Sequence, residues 1–152
     1  MEQSEILEML EAKDTKAAQA SFVQLEKLCQ ESKAYYEYWD VFIQAVSSKR
    51  SCARGRGFKL AMVNLQWDHE DRGLRDSESL LAVLEDEKAP VVRQCLPYVT
   101  YVFRYKPDLS PMFLEKIGNL TLDKYKESMQ RLIQQDVERL MQAREKPHAD
   151  SN

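Results

Sequence analysis

Residues Leu84–Tyr105, LEDEKAPVVRQCLPYVTYVFRY, decide the fold. They read as a short acidic turn followed by an apolar helix, with Asp86 seven residues before Arg93. Upstream, residues 46–68, VSSKRSCARGRGFKLAMVNLQWD, repeat the design and place Arg54 39 residues before Arg93. Recurrence at that spacing predicts stacked helical hairpins, because one such unit cannot bury its apolar face alone. Pro90 suits the first turn of its helix, where a missing N–H costs nothing. Pro97, inside the same run, predicts a kink.

The flanking segments carry the same period. Ile6, Leu7, Met9 and Leu10 form a short apolar cluster, followed by Asp14 as a candidate N-cap. Ala18, Phe22, Leu25 and Cys29 then recur in steps of three and four, one face of an α-helix. A third helix starting at Ser32 would turn Tyr35, Tyr38, Trp39, Phe42, Ile43 and Val46 inward and leave Tyr36 off the stripe. Aromatics at helical spacing read as core before they read as a stacking platform. Ser47 and Ser48 can cap the next helix, with Phe58, Ala61, Met62 and Leu65 on its apolar side. Gly55 and Gly57 near its start cost about 1 kcal/mol each against alanine, which close approach of a neighbouring helix would offset. After Trp67 a polar connector turns at Gly73, and residues 77–84 make a short helix. Beyond the break at Pro107 to Pro111, one helix runs to about Asn119. A last one, capped by Thr121 or Asp123, turns Tyr125, Met129, Leu132, Ile133, Val137 and Leu140 inward. With only four glycines and no alternating apolar pattern, the fold class is all-α, one domain over residues 1–146 with a frayed tail at 147–152.

Charge and cysteine content narrow the function classes. The net charge is −3, the N-terminus is acidic, and no apolar run approaches the roughly 20 residues of a membrane span. A cytoplasmic location follows, with no membrane partner. Cys29, Cys52 and Cys95 are an odd count at wide spacing, with no C-x-x-C pair. A disulfide framework or structural zinc is therefore not expected. Cys29 and Cys95 fit apolar stripes. Cys52 lies among Arg50, Arg54 and Arg56, a setting that lowers a thiol pKa, and its alternative is an exposed cysteine at a helix start.

Asp86, Arg93 and Arg54 now support a resemblance. Leu84, Asp86, Val92, Arg93 and Cys95 resemble the loop and second-helix start of a HEAT repeat. The resemblance implies an α-α superhelix, a HEAT-like or armadillo-type solenoid of about three to four helical hairpins. It also implies that Asp86 and Arg93, with Arg54 at the equivalent arginine position, form a ladder pairing neighbouring repeats. The earlier unit has Ser47 and Lys49 where an acid would sit, and a third around Tyr125–Leu140 has Gln130 and Arg131 near the arginine position. Most of the chain is similar to a family of small Firmicutes HEAT-like proteins. Those share a serine followed by R-x-R-G-F (here Ser48 or Ser51 to Phe58), a W-D pair (Trp67–Asp68) and E-D-E-K…V-R-Q-C-L (Glu85 to Leu96). Members are sometimes labelled SufBD-like, which would imply iron–sulfur cluster assembly. The scaffolds of that system are β-helical, and nothing in this sequence reads as a β-helix.

No catalytic constellation is legible. His69 lies in a connector and His148 in the tail, and Glu85, Asp86 and Glu87 are contiguous in a turn where helix capping explains them. No H-E-x-x-H, G-x-S-x-G or P-loop occurs. No cofactor is expected. Charge, however, is segregated: residues 1–48 carry nine acids against four bases, while Lys49, Arg50, Arg54, Arg56 and Lys59 crowd eleven positions without an acid. With Arg93, Lys124 and Arg131 they could form a basic strip at the starts of the second helices. The alternative is that Arg54 and Arg93 are internal ladder residues and the rest are solvated. The leading expectation is a non-enzymatic scaffold binding a protein partner on its concave or basic face. The runner-up is a nucleic-acid binder related to HEAT-like DNA glycosylases, using that strip, although overall acidity argues against broad phosphate neutralisation. A redox or cluster-assembly accessory acting through Cys52 is third.

Overall fold

A computed structural model describes residues 1–145, all-helical with no strand among them. The predicted tail at 147–152, and His148 with it, lies outside the described residues. Ten α-helices follow one another: α1 (Gln3–Glu11), α2 (Lys16–Glu31), α3 (Trp39–Val46), α4 (Ser51–Asn64), α5 (Arg72–Arg75), α6 (Ser77–Val83), α7 (Ala89–Cys95), α8 (Thr100–Tyr105), α9 (Ser110–Gly118) and α10 (Glu127–Glu145). Tighter 3-10 turns join several of them, at Lys33–Tyr38, Leu65–Trp67, Leu96–Val99 and Pro107–Leu109. Helix α4 is the centre. Helices α1, α2, α3, α6, α7 and α8 all pack on it, and α10 packs in turn on α7 and α8. The buried apolar side chains make one continuous cluster from Ile6 to Leu140.

A helix surrounded in this way needs no stripe, and α4 has none. Ala53, Phe58, Leu60, Ala61, Met62 and Val63 point in different directions around the axis, and all are buried. Its two glycines play different parts. A Cβ on Gly57 would sit 2.4 Å from the Phe42 carbonyl oxygen and 2.9 Å from the Ala45 Cβ, so the last turn of α3 packs against bare backbone. A Cβ on Gly55 would meet nothing within 4 Å.

Several boundaries depart from the sequence reading, each for a local reason. The cap of α2 is Thr15, whose Oγ1 accepts from the Ala18 amide, rather than Asp14. Ser32 does cap, but it opens a 3-10 turn, whose three-residue period shifts the face that a 3.6-residue helix would present. Tyr36 is therefore buried while Tyr35, Tyr38 and Ile43 stay at the rim. Gly73 sits inside α5, not in a turn. The last helix starts at Glu127, and Tyr125, buried, precedes it. Pro97 does interrupt its helix, through the 3-10 turn between α7 and α8.

The Trp67–Asp68 pair anchors the connector. Trp67 donates its indole N–H to the Cys29 carbonyl near the end of α2. Asp68, with no side-chain exposure, accepts from the Arg72 and Gly73 amides at 2.9 Å each and from the Tyr36 hydroxyl at 2.5 Å. Burial alone would raise its pKa, but those donors and the Lys106 ammonium hold the carboxyl below the usual range. A depressed folded-state pKa contributes stability that is complete above the unfolded value and lost as pH falls through the folded one. The thermal-stability advantage of wild type over Asp68→Asn should therefore be full above about pH 5 and shrink on further acidification. Melting curves of both proteins across that range check it, and a pH-independent gap would contradict it.

Candidate functional site

Of the residues marked by the ladder motif, Arg54 and Asp86 are brought together, while Arg93 pairs with an acid the motif did not name. Arg54 on α4 reaches the turn before α7, donating from Nε and a terminal nitrogen to Asp86 at 2.6 and 3.0 Å. The two side chains are 13% and 7% exposed. Arg54 also donates to the Ser48 and Lys49 carbonyls. Asp86 further accepts from the Lys88 amide at 2.9 Å, at the entry to α7, and its own carbonyl receives the Tyr125 hydroxyl. Arg93 on α7 donates not to an earlier acid but forward, to Asp136 on α10 at 2.8 Å. Two arginine–aspartate pairs thus tie α4 to the turn before α7, and α7 to α10.

The basic strip is largely consumed by such contacts. Arg56 points inward, 5% exposed, and donates to the Met9, Leu10 and Ala12 carbonyls at the end of α1, the first of which also accepts the Ala12 amide. Lys59 donates to the Gln94 side chain at 2.9 Å and lies over the Phe22 and Tyr98 rings. Burial pushes its ammonium pKa below the usual lysine range. Lys124 donates to the Glu85 carbonyl at 2.5 Å. Lys49, Arg50 and Arg131 are exposed. Beyond Arg54 and Arg93, which the ladder motif set apart, the sequence made the other six look alike, because a charge run does not say which cations face backbone carbonyls.

A different constellation lies on the side formed by α2, α4, α7, α8 and α10. Pro97 tightens the chain so that Tyr98 and Tyr101, three residues apart, align, and Tyr105 follows one α-helical turn later. The three rings run in a row, with centroids 6.2 and 6.0 Å apart and planes within 24° of parallel. Across α4, Tyr98 donates its hydroxyl to Glu26 of α2, and Gln30, one turn further, donates to the Tyr101 hydroxyl at 3.2 Å. Burial first, then Glu26, raises the Tyr98 phenol pKa, so it stays a donor. These contacts clasp α2 to α8 over the buried α4.

A hollow opens at each end of the clasp. One, of about 580 Å³, lies over the first turns of α4, lined by Phe22, Cys52, Gly55, Lys59, Lys88 and Gln94 among others. Cys52 sits half-buried there, whereas burial raises the thiol pKa of Cys29 to about 11 and that of Cys95 to about 12. The second, of about 390 Å³, is lined by Gln30, Gln66, Thr100, Tyr101, Phe103, Arg104, Tyr105, Ala143 and Arg144. Arg104 lies over the Tyr105 ring and Arg144 over Phe103, at 5.3 and 5.7 Å from the centroids. Sequence reading missed this hollow, because its residues come from four elements up to 114 positions apart. The spacing of Tyr98, Tyr101 and Tyr105 was the one available signal. No helix among the described residues is long and apolar enough to cross a membrane.

No family model matches the chain, and no curated protein or solved structure matches it.

Proposed function

We propose that this chain is a HEAT-like α-solenoid of three to four helical hairpins that serves as a non-enzymatic interaction module in the cytoplasm. It holds a protein partner on the face formed by α2, α4, α7, α8 and α10. The observation that carries the reading is the tyrosine row with its flanking glutamines and arginines. Tyrosine supplies large, rigid contact area at low entropic cost, and tyrosine and arginine concentrate at protein interfaces. The ladder arginines support the same class, since such rungs hold neighbouring hairpins in register. The nucleic-acid alternative has weaker support. Arg54, Arg56 and Arg93 already face aspartates or carbonyls, and few cations remain to displace counterions from a phosphate backbone.

Selection of ligands from a displayed peptide library tests the reading. Selected peptides should lose at least about tenfold in affinity for Tyr105→Ala, as truncation of an interface aromatic does. Equal affinity for variant and wild type would place the partner elsewhere and sink the proposal.

A further inference from the structure

We infer that the hollow of about 580 Å³ over the first turns of α4 binds a small organic anion, a flat apolar body carrying one carboxylate or phosphate group. The body lies over Gly55 against Phe22, and the acid group meets Lys59. Gly55 is the first argument. A glycine inside a helix costs about 1 kcal/mol against alanine, and at Gly57 the close backbone of α3 accounts for it. Nothing comparable holds at Gly55. Its φ is not positive, and a Cβ there would meet no atom within 4 Å, yet the residue is buried. What lies over it is the hollow. Bare backbone on the floor of a cavity is an arrangement that lets a ligand approach closely.

Lys59 is the second argument. It follows Gly55 by four residues, so the two share one face of α4. Its ammonium lies 5.4 Å from the Phe22 ring centroid and 5.9 Å from that of Tyr98, and donates to the Gln94 side chain at 2.9 Å. An ammonium carries three N–H groups, and the groups this one touches are two rings and an amide, none of them an anion. Burial lowers its pKa for that reason, and an acid group in the hollow supplies the missing counter-charge. Size and composition agree. The volume falls within the range of about 300–1,000 Å³ usual for small-molecule sites. Phe22 and Val91, 3% and 6% exposed, are apolar walls. Among the described residues the lining holds Arg56, Lys59 and Lys88 against one acid, Asp14.

The test is calorimetric titration of the full chain with naphthalene-2-carboxylate, 2-naphthyl phosphate and the neutral naphthalene-2-carboxamide. At least one anion should bind about tenfold or more tighter than the amide, as a hydrogen bond to a charged group allows, and the tighter of the two names the acid group. Cys52 lines the same hollow and is half-buried, whereas Cys29 and Cys95 are fully buried. Its alkylation by iodoacetamide, followed by mass spectrometry, should slow as the bound anion fills the site. Lys59→Met should bring the anions level with the amide. Gly55→Leu fills the hollow from its floor and should abolish binding of all three probes, with a melting temperature no lower than wild type. Should Lys59→Met melt early, Gly55→Leu decides alone. Anions that bind no tighter than the amide, an advantage that survives in Lys59→Met, or unchanged binding to a folded Gly55→Leu overturns the inference. Such a failure leaves the partner-surface reading untouched, since none of Tyr98, Tyr101 and Tyr105 lines this hollow.

Discussion

Replacing Asp86 with alanine should cost this protein about 3–5 kcal/mol, the range for removing one partner of a buried ion pair. Three hydrogen bonds end on its carboxylate, two from Arg54 and one from the Lys88 amide that starts α7. Arg54, only 13% exposed, would keep its carbonyl contacts and a 3.9 Å approach to the exposed Glu87, but lose its buried counter-charge. For a chain of this length each kcal/mol moves the melting temperature by about 2–4 °C, so a fall of about 10 °C is expected. Asp86→Asn, which retains one acceptor oxygen, should lose less. Arg93→Ala is the informative comparison. That rung is a third exposed on the arginine side, and solvent-screened pairs contribute about 0.2–1 kcal/mol. Differential scanning calorimetry of the three variants ranks them. Equal small shifts for Asp86→Ala and Arg93→Ala would mean that the two rungs are energetically alike.

The second large effect is a pair of opposite signs two residues apart. Gly57→Ala should destabilise by about 3 kcal/mol, the upper part of the usual overpacking range, because the added methyl meets backbone at 2.4 and 3.0 Å and not the end of a side chain that could swing away. Relief would require α3 and α4 to separate where they pack backbone to backbone. Gly55→Ala faces open space and should stabilise by about 0.5–1 kcal/mol, through helix propensity and a less free unfolded chain. Urea titrations measure both. Two variants shifted in the same direction would show that the close approach is not what Gly57 is for.

How much of this was legible in the sequence depended on how local the physics was. The helices were, since their signals lie within one or two turns, as at Phe22, Leu25 and Cys29. The arginine–aspartate motif drew Arg54, Asp86 and Arg93 together, and the structure pairs Arg54 with Asp86 but Arg93 with Asp136. It could not give Asp136 as the partner of Arg93, because an acid on a charge-rich helix such as α10 carries no distinguishing pattern. Tyr36 was placed on the wrong side because one 3-10 turn changes the phase of everything in it. Arg56 is the instructive miss. Its neighbours Arg50 and Arg54 gave it the look of a surface cation, yet it donates inward to carbonyls at the end of α1, some 45 positions earlier. The clasp was invisible for the same reason: Glu26 and Gln30 meet partners 72 and 71 residues away.

That separation has a consequence for how the molecule comes apart. In an array whose units touch only their nearest neighbours, stability is a sum of local terms, and an end can peel away while the middle persists. Here the clasp fastens α2, near the beginning, to Tyr98 and to α8. Arg56 on α4 holds the end of α1. The first helices cannot fray without opening links that also steady α8, so loss of one end propagates inward. Closing a loop of about 70 residues is a search that a chain of independent hairpins avoids, and it slows folding while making it more concerted. The chain is built from serial pieces but should melt as one body.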